Sequence, residues 1–173
     1  MRLSGEGENI LTTSDDRIVI EGRIFDGAGD HIEDALLEIW QAGPSGRYSH
    51  PDDTRDLEFE PGFTGFGRAA SAFETGEYRF ETLKPGPVPD AEGEDQAPHI
   101  SLIVQARGML IPVFTRIYFS DEEEANANDL VLRGVPAERR HTLIAQLQEG
   151  SEPAVYRFDV RMQGEDETVF FDF

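Results

Sequence analysis

Apolar and polar residues alternate along several short stretches of this chain, the pattern expected of strands with one buried face. In RIVIEGRIF (17–25), Ile18, Ile20 and Ile24 oppose Val19, Glu21 and Arg23. ALLEIWQA (35–42) follows the turn signal DGAGD and stops at Gly43-Pro44, so a strand is expected there too. Leu36, Leu37 and Trp40 would also suit a helical stripe. Arg68–Phe73 and Gly76–Leu83 read as a strand pair joined at Glu74-Thr75-Gly76, and VFTRIYF (113–119) as a further strand. The clearest alternation lies between His99 and Ala106. His99, Ser101, Ile103 and Gln105 share one face, and Ile100, Leu102, Val104 and Ala106 share the other.

Helical signals come late. Ser120 precedes a run of acids, with Glu123 three residues on, so it is expected to cap a helix start. A second helix is expected from Pro136 to about Gln148, with Leu143, Ile144 and Leu147 as its stripe. Val155–Met162 and Thr168–Phe173 close the chain as strands. Strands at short spacing with few helices predict a mainly-β, two-sheet β-sandwich carrying one or two short peripheral helices. Residues 1–16 are expected as a flexible arm and residues 17–173 as a single domain, of a size that can bury a core. Gly43–Gly67, with five Gly and three Pro, is expected to be a long irregular segment of the kind that often carries function.

Charge narrows the function classes. Thirty-five acids against fifteen bases give a formal charge of −20. That sign opposes contact with nucleic-acid phosphates and with anionic membrane surfaces, so neither is expected as a partner. No cysteine is present, which excludes disulfides and zinc–thiolate sites. Nothing resembles a signal peptide or a spanning helix, and a cytoplasmic location is expected. The acid runs Asp52-Asp53, Glu92–Asp95 and Asp121–Glu124 lack calcium-loop spacing and read as solvated surface. His31 and His141 read as surface residues, and His50 as a loop residue within reach of any site near Tyr48.

His99 and position 101 point the same way on one strand, a spacing suited to two ligands of one metal. Position 101 is a serine, and a neutral hydroxyl is a poor ligand for a transition metal.

LEIWQA (37–42), GRYSH (46–50), GFGRA (65–69), GEYRF (76–80), LKPGPVP (83–89), APHI (97–100), TRIYF (115–119) and the closing YRFDVRMQGEDETVFFDF occur in an order and spacing that together resemble the intradiol ring-cleaving dioxygenases. The resemblance runs from about Glu21 to Phe173. It is nearest to the α chains of family members that pair an α with a β chain and act on protocatechuate. Those α chains also carry a Thr/Ser-Gln-Thr-x-Gly-Pro-Tyr segment near their start, and nothing before Glu21 matches it.

Catalytic chains of the family hold non-haem Fe(III) with two tyrosinates and two histidines. A hard trivalent ion favours anionic oxygen, and two neutral imidazoles complete such a site. Against that pattern, Tyr48 stands at the first tyrosine, Val88 at the second, His99 at the first histidine and Ser101 at the second. Gln96 replaces an arginine three residues before the first histidine. The resemblance therefore implies no catalytic residue and no bound metal in this chain. It implies Fe(III) on a partner β chain, with a small aromatic substrate at a pocket the two chains share. Arg107, in QARGM, would wall that pocket, where a guanidinium suits a substrate carboxylate. Tyr48 and His99 would hydrogen-bond in what remains of the metal site. Two other readings stay open: a stand-alone, non-catalytic β-sandwich binding module, and a self-sufficient enzyme using another metal near His99.

Overall fold

The structure, a computed structural model, describes residues 9–172. Its strands are β1 (Ile18–Phe25), β2 (Leu36–Trp40), β3 (Phe66–Ala70), β4 (Glu77–Thr82), β5 (Val88–Pro89), β6 (Asp95–Gln96), β7 (His99–Gln105), β8 (Val113–Phe119), β9 (Ile144–Gln148), β10 (Val155–Arg157) and β11 (Val160–Arg161). Two short helices, α1 (Glu123–Asn128) and α2 (Leu130–Gly134), follow β8, and a 3-10 segment spans Ala137–Leu143. No helix among the described residues is long and apolar enough to cross a membrane.

The expected mainly-β fold with short peripheral helices is observed. Its division into two separate sheets is not what the pairing draws. Hydrogen bonding runs β11–β1–β10–β9–β8–β7–β2–β3, with β4 on the free side of β1, as one sheet of nine strands. β9 makes the join, pairing parallel with β8 and antiparallel with β10. β5 and β6 form a separate two-stranded ladder. The sheet folds over a single main core. Leu37, Ile39, Ile100, Leu102, Val104 and Ile117 from one half pack with Ile20, Ile24, Tyr78, Phe80, Tyr156 and Phe158 from the other. Full burial of side chains of this size is worth roughly 1.5–3 kcal/mol each. Alternation thus placed the inner face of β7 as expected. In β1, Val19 is buried as well, although it lies on the face opposite Ile18 and Ile20.

A second cluster lies on the outer face. Ala97, Tyr118, Leu132, Val135 and Leu143 pack together where α2 and the 3-10 segment cover the sheet. Here the expected helix ends early. The 3-10 segment stops at Leu143, and Ile144–Gln148 is strand β9. Leu143, Ile144 and Leu147 fitted a helical stripe. However, the edge of β8 offers backbone partners to Ile144 and Ala145, and that of β10 offers them to residues 146–148, which outweighs propensity. Ser120 does not cap α1; its Oγ accepts from the Leu147 N–H of β9 at 3.0 Å. The residue that does cap is Asp129, whose Oδ1 accepts from Leu132 N–H at 2.8 Å at the start of α2.

Residues 1–8 of the expected arm, and Phe173, lie outside the described residues. From Asn9 the chain is tied to β4: Glu81 N–H donates to the Asn9 carbonyl at 2.9 Å, Leu11 N–H donates to the Glu81 carbonyl at 2.8 Å, and the Leu11 side chain sits in the core. At the other end, the expected strand Val155–Met162 breaks at Phe158–Asp159 into β10 and β11. The expected strand from Thr168 is reduced to a single bridge between Phe171 and Phe114.

Candidate functional site

Two irregular segments meet at the end of the sheet where β7 begins. The segment after β2 carries Tyr48, and the segment after β4 carries Val88. They touch backbone to backbone. A Cβ at Gly86 would lie 2.2 Å from the Pro44 carbonyl oxygen, and one at Gly46 would lie 2.2 Å from that of Pro87. Gly46 also has a φ of +80°, so both its conformation and its neighbour require glycine. Gln41, fully buried at the end of β2, fixes the second segment: its Nε2 donates to the Leu83 carbonyl at 2.8 Å, and Thr82 Oγ1 donates to its Oε1 at 2.7 Å. Asp53 fixes the first, accepting from Tyr48 N–H at 2.7 Å and from Arg55 through both carboxylate oxygens. The bidentate Arg55 holds the Asp53 carboxyl well below the usual carboxylate range.

Between these segments lies a cleft of 600 Å³ walled by Trp40, Tyr48, His50, Asp53, Arg55 and Val88. The Tyr48 ring stacks on Trp40, with centroids 5.8 Å apart and planes 10° from parallel, and His50 meets Trp40 edge-on at 6.3 Å. Burial is the main reason the Tyr48 phenol is pushed up from its ordinary value, so it is neutral at pH 7; Arg116 pulls the other way.

The floor of the site is the outer face of β2, β7 and β8. Trp40, Ser101 and Arg116 form one row across the three strands, and His99 and Tyr118 form the next. His99 is buried, with its Nδ1 2.8 Å from the Ala97 carbonyl. A carbonyl only accepts, so Nδ1 carries the proton and Nε2 the lone pair. Burial, reinforced by the charge of Arg116, lowers its pKa to about 4. The Arg116 guanidinium donates through Nη1 to Gln96 Oε1 at 2.8 Å and lies 3.4 Å from the Tyr118 hydroxyl. Tyr118 donates in turn to Asp129 Oδ1 at 3.2 Å. Gln96 faces Val88 across the β5–β6 ladder.

The structure therefore gathers Tyr48, Val88, His99 and Ser101 around one residue that the sequence reading gave no role, Arg116. No hydrogen bond joins Tyr48 to His99 among the described residues; the expected contact is replaced by a cation whose field reaches both. A signal was available. Arg116 is the single charge in VFTRIYF, and alternation sets it on the face opposite Ile117; the β7–β8 register then brings it across from Ser101. Arg107, by contrast, lies past the far end of β7, roughly 20 Å or more from His99 at strand rise. It is exposed there and paired through Nη2 with Asp34 Oδ2 at 2.8 Å.

The residues present do not fit Fe(III). The donors are one neutral phenol and one imidazole. Val88 has no lone pair, Ser101 offers a neutral hydroxyl, and a guanidinium stands beside them. No group of three or more His, Cys, Asp or Glu among the described residues is arranged to hold a metal ion. A cleft with aromatic walls and an interior cation can take a small planar anion, but it lacks the ligand set for metal chemistry.

Residues 6–164 match the family described as Dioxygenase. The chain is 48% identical to the protocatechuate 3,4-dioxygenase alpha chain of Burkholderia cepacia, over 91% of this chain and 77% of that one. It is 34% identical to the beta chain from the same organism, over 88% of this chain and 67% of that one. In fold it is similar to an intradiol ring-cleavage dioxygenase from Tetranychus urticae, with a TM-score of 0.68 at 19% identity, over 88% of this chain and 84% of that one. A shared sheet, a match across most of the length and relatives of both chain types lead to one conclusion: this chain belongs to the intradiol dioxygenase family.

Proposed function

We propose that this chain is the non-catalytic α chain of a two-chain protocatechuate 3,4-dioxygenase in the cytoplasm. The complex would cleave 3,4-dihydroxybenzoate between its two hydroxyl-bearing carbons, adding both atoms of dioxygen to give 3-carboxy-cis,cis-muconate. Fe(III) would sit on the β chain. The observation that carries this reading is the donor set around Arg116, which leaves two possible ligands of four.

The far end of β7 supports a pairing surface. Phe73, Leu110 and Ile111 are exposed in the segments that follow β3 and β7 at that end, where Leu36 pairs with both Ala70 and Gln105. Exposed apolar side chains at the same end of the sheet as an exposed arginine suit a partner that brings a carboxylate-bearing substrate. Arg107 would line the β chain's pocket from this end, once drawn from Asp34. Greater identity to an α chain than to a β chain points the same way.

Co-expression with a β chain carrying the full ligand set tests the reading. The pair should co-purify, hold iron and turn over protocatechuate, and this chain purified alone should do neither of the last two. Iron and ring cleavage in the lone chain would overturn it. In the complex, Arg107→Ala should raise KM for protocatechuate by about tenfold through loss of one charge-assisted contact.

A further inference from the structure

We infer that the Arg116 guanidinium has taken over the place of the metal ion, so that the pocket between Tyr48, Val88, His99 and Ser101 carries a built-in cation and excludes a bound one. This rests on reading those four residues as the positions of a former metal site. It does not depend on whether the chain pairs with a second one.

Three observations carry the inference. The first is position. β8 sets Arg116 directly across from Ser101, one of the two substituted ligand positions. A serine leaves open the space that an imidazole would fill, and Arg116 reaches from there to Gln96, which faces Val88, the other substituted position. The second is charge. Among the described residues no carboxylate lies within ion-pair distance of Arg116, in a chain with thirty-five acids. Its hydrogen-bond partners are neutral, an amide and a phenol, and the phenol in turn meets a carboxylate, Asp129, one hydrogen bond further out. A half-buried guanidinium surrounded by neutral groups is costly unless the site favours a cation there. The third is what the pocket keeps. Tyr48 oxygen and the His99 Nε2 lone pair are electron-rich groups suited to a nearby positive charge, and Arg116 supplies it without a metal.

A fixed cation a few ångströms from a trivalent ion opposes binding strongly even at high effective dielectric. The barrier to regaining iron is therefore charge as well as missing donors. The experiment compares Val88→Tyr/Ser101→His, which restores the donors, with the same pair plus Arg116→Gln and the same pair plus Arg116→Lys. Each is purified, checked for folding by circular dichroism and titrated with Fe(III) citrate, and bound iron is measured after gel filtration. The Arg116→Gln triple should bind iron about a hundredfold more tightly than the double. The Arg116→Lys triple should resemble the double, because it keeps the charge. If Val88→Tyr prevents folding, Ser101→His with and without Arg116→Gln makes the same comparison. Equal iron affinity with and without the Arg116 charge would overturn the inference. Co-purification of Arg116→Gln with the β chain should match the unmodified chain, so failure of pairing and failure of this inference are read separately.

Discussion

Two half-buried cations in this molecule are handled in opposite ways. Lys84 lies in a cage of opposite charge: Nζ is 2.7 Å from Asp121 Oδ2 and 2.6 Å from Glu122 Oε1, over the faces of Phe119 and Tyr156. Burial pulls its pKa down, but the two carboxylates outweigh that and leave it at about 12. Arg116 has an amide and a phenol for partners and a carboxylate only beyond the phenol. The lysine is architecture. It fastens the segment after β4 to the start of α1, and its charge is settled locally. The arginine is a charge kept where nothing of opposite sign meets it, which marks a place whose chemistry once required a cation.

The strongest way to break the comparison is to remove the carboxylate behind Arg116. Asp129 is buried and accepts from Ala97 N–H at 2.9 Å, Leu132 N–H at 2.8 Å and the Tyr118 hydroxyl. Asp129→Ala should cost about 3 kcal/mol, since two backbone donors lose their partner, and urea unfolding would measure it.

Next in size is acid. His99 faces Arg116 and Tyr118 from β8, the Ala97 carbonyl, and Asp129 at the start of α2. Its pKa is lowered to about 4 in the fold, against 6.5 for an ordinary histidine. Between those values the unfolded chain binds a proton that the folded one refuses. The His99 contribution is therefore complete above about pH 6.5 and fades as pH falls toward 4, by up to about 3 kcal/mol. Unfolding series at several pH values should show a shallower slope in this window for His99→Gln.

Lys84→Met should cost about 1 kcal/mol, the pair being partly open to solvent, and chemical denaturation would register it. Arg116→Gln should cost only a few tenths of a kcal/mol, because removing a partly desolvated charge without a direct counterion offsets the lost hydrogen bond. An Arg116 effect equal to or larger than that of Lys84 would mean the two cations are alike.

The inner faces of the main strands were legible from alternation, because a strand buried on one side has little choice of face. Ile20, Ile24, Leu102 and Val104 all sit where period two put them. β9 was not legible. Ile144 and Leu147 satisfy a helix and a strand equally, and only the open edges of β8 and β10, assembled from distant sequence, decide between them. Tyr48, Val88, His99 and Ser101 were found through family motifs. Arg116 was passed over because a lone arginine in a strand usually means a solvated outer face. What distinguishes it is the residue across the ladder, and register is a tertiary fact.

The join through β9 has a consequence for how the molecule comes apart. β8 and β9 share two residue pairs, Tyr118 with Ile144 and Phe119 with Ala145. Inside the ladder no crossing is shorter, and only that of β1 with β11, at its end, shares as few pairs. Amide protons of Ile144 and Ala145 should trade with solvent sooner than those of β1 or β7, and the barrel-like curl will begin to unroll from there.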